Sequence, residues 1–88
     1  MLITDFTRQF KKDFKKYQYQ QKVIDEFNYV LEILVNEKQM PEKYQDHPLI
    51  GNYKGSRECH VKLDVLLVYN ITGGILTLQR IGSHSGLF

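Results

Sequence analysis

The sequence predicts an α+β fold: a small, mostly antiparallel sheet with two helices packed on one of its faces. Two observations carry this expectation. Through roughly the first forty residues the apolar positions recur every three or four, the period of an amphipathic helix. Beyond them the period shortens to about two, the period of a strand. The predicted order is β-α-α-β-β-β-β, helices first and a strand meander after. No repeat, linker or low-complexity stretch interrupts the 88 residues, so one domain over 1–88 is expected.

Leu2-Ile3 opens a short strand. Phe6, Phe10, Phe14 and Tyr17 then define one face of a helix running to about Gln20, with Lys11, Lys12, Lys15 and Lys16 on the opposite side. The aromatic stripe reads as core and not as a base-stacking platform. A turn near Tyr19-Gln20-Gln21 leads to a second helix over 23–37, where Val23, Ile24, Phe27, Val30, Leu31, Leu34 and Val35 form a broad apolar stripe. Pro41 is expected to stop it, because proline lacks an amide hydrogen and disfavours helix in the residue before it. Residues 39–48 form a loop. Strands follow at 50–54, 57–63, 65–71 and 75–81, the first punctuated by Gly51 and Gly55 and the last two joined by a Thr72-Gly73-Gly74 hairpin turn. The nearly continuous apolar run Val65-Leu66-Leu67-Val68-Tyr69 marks a central strand covered on both faces. Strict alternation along 57–63 sends Arg57, Cys59, Val61 and Leu63 toward the helices. It leaves Glu58, His60, Lys62 and, if the strand continues, Asp64 on an exposed polar face.

Hydrophobic residues at 42% and charged residues at 25% are those of an ordinary globular protein. The single Cys59 excludes an internal disulfide and fits a reducing cytoplasm. No apolar run approaches the ~20 residues that span a bilayer, and the N-terminus lacks the basic-then-apolar order of a signal peptide. Net charge is only +2, but its distribution is uneven: residues 1–22 carry +4, residues 23–46 carry −4 and residues 47–88 carry +2. Basic segments flanking an acidic one create a local field that attracts phosphate.

Three histidines, His47, His60 and His84, stand in the polar motifs of the C-terminal half. Imidazole exchanges protons near neutrality at little cost, and Lys54, Arg57 and Arg80 supply cations nearby. Their separations, 13 and 24 residues, contain no close ligand pair of the kind zinc sites show, so no metal and no cofactor are expected. Ser83 and Ser85 lack the context of a serine nucleophile. Metal-free cleavage of RNA fits better. One group takes the proton of the 2′-hydroxyl, another protonates the leaving 5′-oxygen, and cations stabilise the charge on phosphorus oxygens. Asp64 is available to orient an imidazole, and Phe88 to stack on a base.

The stretches Tyr44-Gln45-Asp46-His47-Pro48-Leu49-Ile50-Gly51, Lys54-Gly55, Arg57 to Asp64, Leu66-Leu67-Val68-Tyr69 and Arg80 to Phe88 together resemble the YafQ branch of the RelE/ParE superfamily of bacterial toxins. The match in residues covers about 44–88; the helical hairpin matches by pattern only. The resemblance implies an endoribonuclease that cuts mRNA, often on the ribosome, and is silenced by a wrapping, acidic antitoxin segment. It implies catalytic roles for His47, His60, Asp64, Arg80 and His84, with His84 as general acid, and RNA contacts by Lys54, Arg57, Glu58 and Phe88. No membrane, and no DNA contact by the toxin alone, are expected. Two positions depart from better-known relatives: Glu58 stands where Asp is frequent, and Val65 where an aromatic is. The alternative within the superfamily is a non-catalytic toxin that binds DNA gyrase; a pure binder has no need of three groups titrating near neutrality.

Overall fold

The computed structural model describes residues 1–88. Its first strand, β1 (Ile3–Phe6), is followed by α1 (Arg8–Phe14), which tightens into a 3-10 turn at Lys15–Tyr17, and by α2 (Gln21–Val35). The C-terminal half contains β2 (His47–Pro48), β3 (Arg57–Lys62), β4 (Val65–Thr72), β5 (Ile75–Gly82) and a one-turn helix α3 (His84–Leu87). The five strands form one sheet in the order β1-β5-β4-β3-β2. Only the β1–β5 pairing is parallel.

Local chemistry sets the boundaries. Phe6 belongs to β1, opposite Leu78, and not to the helix that its spacing implies. Thr7 ends the strand and caps α1: its hydroxyl oxygen accepts from the Phe10 amide at 3.0 Å and its proton goes to the Gln79 carbonyl at 2.8 Å. The Phe6 ring still meets Phe10 at 5.6 Å. α1 closes onto α2 through Phe14 and Phe27, whose ring centroids are 5.0 Å apart. α2 ends at Val35, well before Pro41, because Glu37 turns into the left-handed region with φ 54°. Leu2 then ties the N-terminal strand to the end of α2, donating to the Val35 carbonyl at 2.8 Å.

The expected strand at 50–54 does not form. Gly51 and Gly55 have φ of +71° and +96°, a left-handed backbone that glycine adopts freely, and Gly51–Tyr53 is a 3-10 turn. The extended pairing falls instead on His47–Pro48, inside the segment expected to be a loop. Proline is tolerated there because β2 is the sheet edge and presents no missing donor to a neighbour. The hairpin turn at Gly73-Gly74 falls where the sequence puts it.

The core lies between α1, α2 and one face of the sheet, with Phe10, Phe27, Val30, Cys59, Val61, Leu67, Tyr69, Leu76, Leu78 and Ile81 all buried. β4 is buried on both faces from Val65 to Tyr69, as its continuous apolar run predicts. The simple alternation fails at two irregularities. One lies between His60 and Lys62 at the end of β3, with Val61 still in the core; the strand then stops, and Leu63 falls in the two-residue turn to β4, 97% exposed, where a strand continued to 63 places it inside. The other opposes Val68 to Arg80 and Tyr69 to Leu78, so Gln79 is an extra residue in β5. That insertion keeps both Leu78 and Ile81 in the core and turns Arg80 to the opposite face.

Leu78 is fully buried at the centre of this packing. Leu78→Ala should therefore cost about 2–5 kcal/mol of stability, the usual range for a buried leucine. Urea denaturation of the two proteins measures it.

Candidate active site

Directly opposed residues of an antiparallel ladder share a face of the sheet. The register sets His47 opposite Glu58, Glu58 opposite Val68, and Val68 opposite Arg80. One row across four strands therefore carries an imidazole, a carboxylate, an apolar spacer and a guanidinium, on the face away from the helices. The adjoining row is His60, Leu66 and Gly82. At ~4.8 Å per strand, His60 lies roughly 10 Å across the sheet from the end of β5, where α3 begins.

His47 is held at both ring nitrogens, Nε2 against Glu58 Oε2 at 3.0 Å and Nδ1 against the Gln45 carbonyl at 2.7 Å. Both neighbours are hydrogen-bond acceptors, and together they fix the orientation of the ring. Glu58 is 5% exposed, where a polar strand face predicts a wet side chain. It lies beneath His47, which covers it from solvent. The His60 ring is 6.4 Å from that of His47, centroid to centroid, and none of the chain's side-chain hydrogen bonds engages it.

Arg80 is positioned from α1. Its Nε donates to Asp13 Oδ2 at 2.7 Å and its Nη2 to Oδ1 at 3.2 Å, while the Ile81 amide also donates to Oδ2 at 3.2 Å. β1 ends opposite Leu78, so Asp13 satisfies an edge amide that the sheet leaves open. The Asp13 hydrogen bond raises the Arg80 pKa against the opposing effect of burial. Burial pushes the Asp13 carboxyl up, but hydrogen bonds from Arg80, Gln9 and Ile81 outweigh it and hold the carboxyl below its ordinary value. Tyr53 also reaches Arg80.

His84 opens α3, and the Ser83 hydroxyl caps that helix by accepting from the Gly86 amide at 3.0 Å. Leu87 packs on Gly82, where an added Cβ would come within 3.3 Å of it. Asp64 anchors the start of α3: its Oδ1 accepts the backbone amide of His84 at 3.2 Å, which ties it to the residue that carries the imidazole and not to the ring. Phe88 is half exposed, 5.5 Å from the His84 ring and 5.5 Å edge-on from Tyr53.

His47, Glu58, His60 and Arg80 thus share one face, with His84, Phe88 and Asp64 at its end. All three imidazoles reach solvent. Lys54 is exposed in the turn after Tyr53. Arg57 is not brought to this face. It lies on the helix side of β3, with Nε 2.6 Å from Asp46 Oδ1, and the Tyr69 hydroxyl donates to the same carboxylate. Cys59 is buried and its thiol is pushed up to about 12 by burial and then by the charges of Asp46 and Glu58, so it is no nucleophile. Asp13, Gln45 and Tyr53 escape a sequence reading. Asp13 sits among lysines on a helix, and Tyr53 lies in the segment that reads as a strand.

An α+β sheet with this histidine–arginine face and an aromatic C-terminal turn defines a RelE-like toxin. The family described as bacterial toxin of type II toxin–antitoxin system, YafQ, matches residues 2–88, and the chain belongs to it. The mRNA interferase toxin YafQ of Escherichia coli K12 is 36% identical over 85 residues, covering 96% of this chain and 92% of that protein. The crystal structure of the E. coli DinJ–YafQ complex superposes with a TM-score of 0.88 at 35% identity, covering 100% of this chain and 99% of the other. A Helicobacter pylori toxin described as metal-bound superposes at 0.85, with 42% identity and full coverage of both chains.

The Asp13 carboxyl contributes stability fully present above its ordinary value of 3.8 and lost as pH falls through its lowered value. Asp13→Asn should cost about 1–2 kcal/mol at neutral pH, with the difference from wild type shrinking as pH falls below 3.8 and through the lowered value. Denaturant titrations across that range test it; a constant difference would assign the loss to packing.

Proposed function

We propose that residues 1–88 act as one toxin domain, a metal-independent endoribonuclease that cuts mRNA in the cytoplasm, on the ribosome. Membership of a family whose E. coli member is named an mRNA interferase toxin makes the endoribonuclease reading the favoured one over a gyrase-binding toxin. The observation that carries the mechanism is the shared face of His47, His60 and Arg80, closed at its end by His84 and Phe88.

His60, whose nitrogens are free, takes the proton of the 2′-hydroxyl as its oxygen attacks the adjacent phosphorus. Arg80, fixed by Asp13, stabilises the charge that develops on the non-bridging oxygens, and His47, its ring oriented by Glu58 and Gln45, helps to position the substrate. His84 protonates the departing 5′-oxygen. The products are a 2′,3′-cyclic phosphate and a 5′-hydroxyl. Phe88 stacks on a base beside the cut and Lys54 meets the backbone. This chemistry needs no metal. The metal described for the H. pylori relative belongs to that protein's structure.

His60→Ala and His84→Ala should each lower cleavage by ~10²–10⁴ in the presence of EDTA with folding retained. Cleavage assays with analysis of the product ends check this. Cleavage of free RNA that EDTA abolishes, or 3′-hydroxyl and 5′-phosphate ends on free or ribosome-bound message, would contradict the mechanism.

The regulating partner is a co-encoded antitoxin with an acidic segment, as DinJ is the partner of YafQ in the E. coli complex. Lys11, Lys12, Lys15 and Lys16 are all exposed, and no helix is long and apolar enough to cross a membrane. Reversing those four charges should weaken antitoxin binding at least about tenfold, by calorimetry at low salt. Equal affinity would remove the electrostatic contribution. The toxin alone makes no DNA contact.

A further inference from the structure

We propose that the cleft behind His60 is a nucleobase subsite that receives the nucleotide beside the scissile phosphate and selects bases with an exocyclic amine over uracil. The inference rests on the ribonuclease reading, which by itself says nothing about base choice.

β2 pairs with β3 only at Arg57 and Glu58, so the edge of β3 from Cys59 onward has no strand beside it. The 3-10 turn at Glu42–Tyr44 runs along that edge instead, and between them opens a cleft of about 310 Å³. This is the small end of the range for ligand pockets, about 300–1,000 Å³, and suits one base. Its lining includes Glu26, Lys43, Gln45, His60, Lys62 and Leu63. His60 belongs both to this cleft and to the catalytic face, so a base lodged here is next to the phosphodiester being cut.

The lining has a nucleotide's chemistry. Leu63, in the turn that ends β3, stands exposed on the cleft wall, an apolar surface for a base plane. Lys43 and Lys62 are exposed cations able to meet the flanking phosphates. Glu26 is the selective element. Its Oε2 accepts from the Tyr44 hydroxyl at 2.8 Å, and its other oxygen has no partner within the chain. Tyr44 is buried and its pKa is raised by that burial and by Glu26, so it keeps its proton and holds the carboxylate as an acceptor. An acceptor in that position takes the amino hydrogens of adenine, cytosine or guanine and meets the carbonyl oxygens of uracil with repulsion. Gln45 joins the two sites: it lines the cleft and its carbonyl holds His47.

The test is cleavage of a randomised RNA pool in EDTA, with sequencing of the 5′-hydroxyl ends to give base frequencies around the cut. Wild type should show uracil depleted about tenfold at one flanking position, the worth of one hydrogen bond to a charged group. Glu26→Gln keeps an oxygen for Tyr44 but turns an amide toward the base, so uracil at that position should recover about tenfold. The double variant Lys43→Ala/Lys62→Ala should raise KM about tenfold and flatten the salt dependence by roughly 1.4, the loss of two contacts to a single strand. Cleavage by the wild type with an identical base profile in Glu26→Gln, or an unchanged KM and salt dependence in the lysine variant, would overturn the subsite alone. A wild type that cuts neither the free pool nor a ribosome-bound message would overturn both readings.

Discussion

The register of the antiparallel ladder is the constraint from which the rest of the site follows. Hydrogen bonds across β2, β3, β4 and β5 set His47, Glu58, Val68 and Arg80 in one line. A slip of one residue would turn every side chain of a strand to the opposite face. The register is secured by the buried partners between those residues: Cys59, Leu67 and Ile81 form the matching line on the helix side, all essentially inaccessible to solvent. Hydrophobic burial thus aligns the polar groups, and the energy that holds the core also fixes the geometry of the chemistry.

The extra residue in β5 and the stop of β3 at Lys62 are the exceptions that make the site. Without the extra Gln79, Arg80 would follow Leu76 and Leu78 into the core, an untenable position for a guanidinium. The end of β3 at Lys62 leaves Leu63 in the turn, where it gives the free edge of β3 its apolar wall. Such insertions also twist and re-aim a strand locally, and their cost is contained here by side-chain bonds. The Ser56 hydroxyl donates to the Gln79 side chain at 2.6 Å, and the Thr7 hydroxyl takes up the Gln79 carbonyl. The C-terminal turn depends on tertiary contacts in the same way. Four residues cannot sustain a helix alone, and α3 persists through its Ser83 cap, the seat of Leu87 on Gly82 and the Asp64 bond to its first amide.

Much of this was legible in the residues. The shift from helical to alternating spacing gave the fold class, and the run from Val65 to Tyr69 gave the central strand. The histidines, Arg80 and Phe88 stood out because their chemistry is visible without coordinates. What the pattern hid has physical causes. Period two cannot register an inserted residue, so the re-aiming of Arg80 was invisible, and it does not show that β3 stops at Lys62 and leaves Leu63 in a turn. Val, Ile and Tyr around two glycines resemble a strand, yet positive φ at Gly51 and Gly55 makes residues 51–53 a turn. Glu58 reads as a wet strand residue and is buried because His47, 11 positions earlier in sequence, lies over it. Arg57 reads as a cation for RNA, but its side of the strand and the Asp46 carboxylate commit it to the fold.

The central claim is that one face of the sheet, and not the helical side, holds the scissile phosphodiester. An NMR titration with a 2′-O-methyl RNA, which lacks the attacking hydroxyl and so remains uncut, tests it most directly. Resonances of His47, Glu58, His60, Arg80 and His84 should shift together and saturate at one concentration. Shifts confined to the helix side, around Arg57 and Asp46, with those five unmoved, would contradict the account.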